Sequence, residues 1–384
     1  MSENKQIKKF NTGLIGLGYI GKVHAHAYHT LSHAYAQPQV LAEVKTILRS
    51  KTGGADEFLA SLGSPLETTN QDEFFRQGLD LVDICTPNLL HLEQVKAAAS
   101  HKLPIYCEKP LGLNLEHARQ ITQTAIKASV PTHTALVMRY FPNVRQAKSV
   151  LSSGELGEIL NFRAHLFHNS YIDPERPISW RLRHAESGGG ALADLGVHVM
   201  DLVRYLLGEA QWIQCRTRTF IDKRPVAGTE KQMAAVDVDD WGVCLLGLQN
   251  GAQGVIEATR MSGGLANSTK IEIFGSHGSL EIDLENPHQI KFYSQKSGQT
   301  ISGPLHFPTP PDERPISQIW PSGKTSMGGF RDAHTACIYD FLLNMYENKP
   351  SMVDFQSALK SQEILEAAYK SAASNGQTIN LPLK

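Results

Sequence analysis

The chain has 384 residues, more than one ordinary core accommodates, so two domains are expected, each burying its own apolar surface. Its 37 Lys and Arg against 38 Asp and Glu leave a formal net charge of −1 at pH 7. That excludes the basic field of a nucleic-acid or anionic-membrane binder and leaves a small molecule as the expected partner. Five scattered cysteines (Cys85, Cys107, Cys215, Cys244 and Cys337) with no C-x-x-C exclude a disulfide framework or a zinc ribbon. The polar start MSENKQIKKF, and the lack of any apolar run of membrane length, read as a cytoplasmic protein.

From residue 10 to about 130, short apolar runs alternate with helical segments. NTGLIGLG, VKTILR, LVDICTP, PIYCEKP and PTHTALVMRY read as strands or strand ends, and the stretches between them as helices. Strand and helix in alternation predict a parallel sheet with crossover helices. After about residue 155 the texture becomes period-2 alternation, as in EILNFRAHLFH, WGVCLLGL and TKIEIFG, with turns at Asn250-Gly251 and Gly275–Gly278. Antiparallel hairpins are predicted there. The expected organisation is a Rossmann-type domain over residues 1–134 and an α+β domain over 135–384, closed by helices at 331–348 and 354–373.

Gly16-x-Gly18-x-x-Gly21 follows the first strand and opens a helix whose first residues are Tyr19 and Ile20. Glycines at that spacing allow a tight turn and the close approach of a pyrophosphate to the helix N-terminus. After the second strand come Arg49, Ser50 and Lys51, where an acidic residue would serve NAD, so NADP is the preferred cofactor with NAD as the alternative. The third strand ends in Thr86, Pro87 and Asn88, with His91 beyond them, and the next ends in Glu108, Lys109 and Pro110. Carboxyl ends of parallel strands are where ligands bind in this architecture.

The stretch SGGGALADLGVHVMD, residues 187–201, places Leu192, Leu195 and Val199 on one side of an expected α-helix and Asp194, His198 and Asp201 on another. Spacing alone leaves open a solvated polar face or a catalytic pair; a metal site lacks a third ligand. His29 and His33 are likewise spaced for a metal, but no carboxylate or cysteine in their segment completes the set, so no metal is expected. His24, just inside the first helix, is expected to be partly buried.

Taken together, Gly16-x-Gly18-x-x-Gly21, TPNLLH, Glu108-Lys109-Pro110 and GGGALADLGVHVMD resemble the glucose-fructose oxidoreductase and inositol dehydrogenase family, Gfo/Idh/MocA, over essentially the whole chain. The resemblance implies a Rossmann domain joined to a domain built on a large, mostly antiparallel sheet, and a homodimer or homotetramer. It implies catalytic roles for Lys109, Asp194 and His198, with the glycines of 188–190 letting the chain pass close to the nicotinamide. YIDPERPISWR and VDVDD…GVIEATR are similar to members acting on sugars and anhydrosugars, making Arg139, His168, Trp180 and Arg181 candidate substrate contacts. The expected function is hydride transfer between NAD(P) and a secondary hydroxyl of a sugar, anhydrosugar or cyclitol. The alternatives are a redox-assisted glycosidase and a cofactor-sensing regulator, the latter disfavoured by the retained acid-base residues.

Overall fold

The crossover pattern of the first 134 residues folds as strand–helix units, and the computed structural model describes residues 7–229 and 232–383. In chain order the first strands are β1 (Lys8–Ile15), β2 (Val40–Leu48), β3 (Leu66–Thr68), β4 (Leu81–Ile84), β5 (Ile105–Cys107) and β6 (Thr132–Thr134). The helices among them are α1 (Tyr19–Ala34), α2 (Asp56–Ser61), α3 (Gln71–Phe75), α4 (His91–Ser100) and α5 (Leu115–Ala128). All pairings are parallel and the strand order is β3-β2-β1-β4-β5-β6. This doubly wound order reverses direction at β1, the place where such sheets receive dinucleotides.

The later chain supplies α6 (Pro142–Ser152), β7 (Ile159–Phe167), α7 (His184–Ser187), α8 (Val197–Leu207), β8 (Ala210–Arg218), β9 (Lys223–Pro225) and β10 (Met233–Ala235). It continues with β11 (Trp241–Leu248), β12 (Gln253–Thr259), β13 (Ser268–Gly275), β14 (Gly278–Asp283), β15 (Ile290–Ser294) and β16 (Gln299–Gly303), then α9 (Gly329–Glu347), α10 (Phe355–Ala373) and β17 (Ile379–Asn380). Nine of these strands form one sheet, ordered β16-β15-β14-β13-β7-β12-β11-β8-β17, in which only β7 and β12 run parallel. The turns expected at Asn250-Gly251 and Gly275–Gly278 join antiparallel neighbours, as the alternation required. One face carries Phe162, Cys244, Ile256, Ile271 and Ile282, all buried, and is covered by the helical segment around Leu192 and by α6. Burying each such side chain contributes roughly 1.5–3 kcal/mol before entropy is subtracted.

The chain divides into two compact units. One takes the residues up to Gly112, Glu116–Tyr140 and Pro315–Ala358, and the other takes Leu113–Leu115, Phe141–Arg314 and the residues from Leu359 on. The units therefore do not split at 134/135: Pro315–Ala358 belong with the parallel sheet. Packing explains the return, because α9 lies on α1 and β2, with the Tyr339 ring stacked on Tyr35 at 3.8 Å between centroids. No helix among the described residues is long and apolar enough to cross a membrane.

Candidate active site

In the first unit the glycine turn leaves β1 and enters α1. Gly16 has φ +93°, and a Cβ there would lie 2.8 Å from the Cys85 carbonyl oxygen; a Cβ on Gly21 would lie 2.2 Å from the Gly16 oxygen. Both glycines are demanded by the crossing of strand and helix. Gly18 differs: nothing lies within 4 Å of its would-be Cβ, and it stands at the N-terminus of α1 without a side-chain cap. Open space beside unsatisfied helix N–H groups is what a pyrophosphate requires, so these residues fit a dinucleotide. Tyr19, beside it, is 73% exposed.

In the basic segment after β2, Arg49 already has an acidic partner. The Arg49 guanidinium pairs with Glu67 of β3, and the other Glu67 oxygen accepts the Gly53 N–H at 2.8 Å. That backbone hydrogen bond, followed by Arg49, holds the Glu67 carboxyl below its usual pKa. Ser50 and Lys51 are exposed.

At the end of β4, Thr86 donates its hydroxyl to Gln94 at 2.6 Å and Asn88 is buried. His91, expected to touch cofactor, is fully buried: its ring nitrogens lie 3.0 Å from the Thr86 carbonyl and 3.1 Å from the Leu111 carbonyl, and burial lowers its pKa. It ties the loops after β4 and β5 together. Arg139, the candidate substrate contact, is held from within its own unit. It is buried and donates to the Met352 carbonyl at 3.1 Å and the Ser357 hydroxyl at 3.2 Å, bracing the first unit.

Glu108 and Lys109 follow β5, with a cis bond between Lys109 and Pro110. Beneath them is a group of side chains that sequence reasoning missed apart from His24, which is wholly buried. His24 Nδ1 lies 2.9 Å from Asp83 Oδ2 and 3.1 Å from Cys85 Sγ; its Nε2 lies 3.0 Å from His334 Nδ1 and 3.1 Å from Glu108 Oε1. Burial alone would lower the His24 pKa, but the Asp83 carboxylate beside it carries it well above the ordinary value. Burial would likewise raise that of Glu108, yet the contact with His24 and its charge bring it down to about 2. His24–Asp83–Cys85 and His24–Glu108–His334 are both metal-ligand sets by type. The separations of His24 from Asp83 and His334, 2.9 and 3.0 Å, are those of hydrogen bonds, and Glu108 Oε1 stands at ion-pair distance from Nε2. The signal available in the sequence was a histidine three residues past Gly21, on the helix side that faces the sheet.

In the second unit, residues 192–196 form a π-helical turn that runs into α8. The expected regular α-helix is thus widened at Asp194, a feature frequent at functional sites. Of the two readings the spacing left open, a solvated polar face does not describe these residues. His198 and Asp201 are buried, and Asp201 accepts the Ser361 hydroxyl at 2.8 Å with Arg204 at 3.6 Å. Asp194 is partly open, its side chain 24% exposed, and its carboxylate receives the buried Arg260 guanidinium at 3.1 Å. Arg260 closes the GVIEATR segment, so the quoted motif held this partner without revealing it.

The glycines before the π turn answer to their own unit. A Cβ on Gly188 (φ +74°) would lie 1.8 Å from the Leu113 oxygen, on Gly189 2.3 Å from the Tyr369 hydroxyl, and on Gly190 1.9 Å from the Asp239 oxygen. The Asp239 carboxylate accepts the N–H groups of Gly190 and Leu192, each at 2.9 Å, and the Tyr369 hydroxyl at 2.8 Å. Close packing within the unit leaves no room for a Cβ at any of the three. His168 accepts from the Ser170 backbone and lies 2.9 Å from its hydroxyl, and the Arg181 guanidinium stacks on Trp180 at 4.4 Å; all three residues are partly exposed.

Comparison with known proteins agrees with both halves. Residues 10–135 match the family described as oxidoreductase, NAD-binding Rossmann fold, and residues 144–281 match the GFO/IDH/MocA C-terminal domain. Levoglucosan dehydrogenase of Pseudarthrobacter phenanthrenivorans is 31% identical over 95% of this chain and 97% of its own. Myo-inositol 2-dehydrogenase of Thermotoga maritima is 29% identical over 71% and 74%. A levoglucosan dehydrogenase solved with NADH and levoglucosan superposes with a TM-score of 0.88 at 28% identity, covering 98% of this chain and all of that one. With the glycine turn open at Gly18, the Lys109 strand end and the Asp194–Arg260 pair on the same chain, the protein belongs to the GFO/IDH/MocA oxidoreductase family and is a nicotinamide-dependent dehydrogenase.

Proposed function

We propose that the protein moves a hydride between a nicotinamide cofactor and a secondary hydroxyl of a sugar or anhydrosugar. The observation that carries this reading is the open space at Gly18 on a doubly wound sheet whose β5 end presents Lys109. The cofactor, when bound, accepts the hydride; the chain must take the hydroxyl proton and steady the developing alkoxide. His198 is the base, imidazole being the side chain whose proton exchange suits neutral pH. Lys109 holds the reacting oxygen by a charge-assisted hydrogen bond. Asp194 orients the substrate hydroxyl, its own direction set by Arg260. The names of the relatives make levoglucosan and myo-inositol the first substrates to try.

The test is a screen of anhydrosugars, aldoses and cyclitols with both cofactors at the nicotinamide absorbance band. Lys109→Ala and His198→Ala are expected to keep NADH binding by fluorescence while kcat falls roughly 10²-fold or more. Near wild-type turnover in either variant removes that residue's role.

The Arg49, Ser50, Lys51 segment supports NADP, while two observations support NAD. Glu67 answers the Arg49 charge, and the levoglucosan dehydrogenase neighbour was solved with NADH. We take NAD as the working cofactor; a kcat/KM favouring NADP would reverse this. The outer face of the nine-stranded sheet bears Val243, Leu245, Val255 and Phe274 among Arg163, Glu257 and Glu272, a mixture suited to a symmetric interface. A dimer or tetramer follows, to be checked by light scattering, where a monomer at micromolar concentration would rule it out. The buried free cysteines support a reducing, cytoplasmic location, which fractionation of the native host tests.

A further inference from the structure

We propose that His24 is a positioning residue for Lys109: its imidazole, gripped between Asp83 and Glu108, fixes the Glu108 carboxylate, whose second oxygen holds the backbone N–H of Lys109. The contacts run in series. Asp83 of β4 lies 2.9 Å from His24 Nδ1, Glu108 Oε1 lies 3.1 Å from Nε2, and Glu108 Oε2 accepts the Lys109 N–H at 3.1 Å. Both carboxylates are buried, Asp83 completely, and two buried anions need a cation between them. A doubly protonated imidazole meets that need, with a carboxylate at each nitrogen. The other groups facing it are Tyr28 of α1, Cys85 after β4, Tyr106 of β5 and His334 of α9. His24 also sits on the helix whose N-terminus is open at Gly18, so one side chain couples the helix that would carry the pyrophosphate to the loop that carries the lysine.

This inference rests on the reading of Lys109 as a catalytic residue, and its test needs no turnover. Lys109 is acetylated with acetic anhydride between about pH 7 and 10, where an exposed lysine gains its neutral form. Its rate is read by peptide mass spectrometry against exposed Lys102. Removing a cation that faces the carboxylate favours the ammonium, so His24→Gln is expected to slow Lys109 labelling about threefold or more, the effect of half a pKa unit. Removing the anion does the reverse, so Glu108→Gln is expected to speed it. Loosened packing would move both variants in one direction; that outcome, or no change in either, overturns the proposal. Should either variant fail to fold, the wild-type protein still decides. Imidazole nitrogen shifts at pH 8.5 must show one ring of the sixteen histidines protonated on both nitrogens, and sixteen neutral rings overturn the bridge. Wild-type turnover in Lys109→Ala would instead remove the catalytic reading and leave the labelling result intact.

Discussion

Two glycine stretches, Gly16–Gly21 and Gly188–Gly190, look alike in the sequence and do different physical work. In the first, Gly16 and Gly21 are filled by the protein's own backbone while Gly18 faces open space at a helix N-terminus. In the second, every missing Cβ is taken up by a neighbour of the same unit: Leu113, Tyr369 or Asp239. A glycine thus signals close approach without saying of what, and only the surrounding packing tells ligand from chain.

The comparison can be broken by filling each gap. Gly188→Ala should have the largest effect, since its Cβ would lie 1.8 Å from a backbone oxygen that cannot swing away and its φ of +74° disfavours any side chain. We expect a loss of about 3 kcal/mol or more in urea unfolding, the upper range for overpacking; a near-native midpoint would show that the loop relaxes cheaply. Next comes Glu108→Gln, which strips the carboxylate from beside His24 of α1. Glu108, with its pKa depressed to about 2, stabilises the fold above the unfolded value near 4.5 and loses this as pH falls toward 2. His24, with its pKa raised, stabilises the fold below about 6.5 and loses this as pH climbs past the raised value. The penalty of Glu108→Gln in thermal midpoint should therefore be greatest between about pH 4.5 and 6.5 and shrink on both sides. A penalty independent of pH would contradict the charged bridge.

Gly18→Ala should be milder and of another kind. Its φ of −72° suits alanine and its surroundings are empty, so the unfolding midpoint should stay put while NADH binds about tenfold more weakly, roughly 1.4 kcal/mol. A lost midpoint with intact NADH affinity would invert the distinction between the two stretches. The smallest expected effect is at Glu67→Gln, which releases Arg49 toward a 2′-phosphate and should raise the NADP-to-NAD ratio of kcat/KM by about threefold to tenfold.

Much of the fold was legible because periodicity reports exposure: the parallel half alternates strand with helix, and the antiparallel half alternates side chains about its sheet. Periodicity does not say which core a helix covers, so α9 was assigned to the wrong unit. It also cannot register one extra residue in a turn, which is why the π turn around Asp194 was drawn as a regular helix. The site was legible where local spacing carries the chemistry, as at Gly16–Gly21 and Glu108-Lys109-Pro110. It was hidden where partners lie far apart in the chain, such as Asp194 with Arg260 or His24 with His334. Buried polar residues such as Arg139, His91 and Asp201 have partners within the protein that the sequence does not disclose.

The return of Pro315–Ala358 to the first unit sets a clock for biosynthesis. The parallel sheet and its helices are complete by Tyr140, yet α9, which lies over α1 and delivers His334 to His24, begins at Gly329. At ribosomal rates of about 5–20 residues per second, roughly ten to forty seconds separate the two. During that interval the α1 surface with Tyr35 is bare and His24 lacks one neighbour, so the unit begun first is finished nearly last.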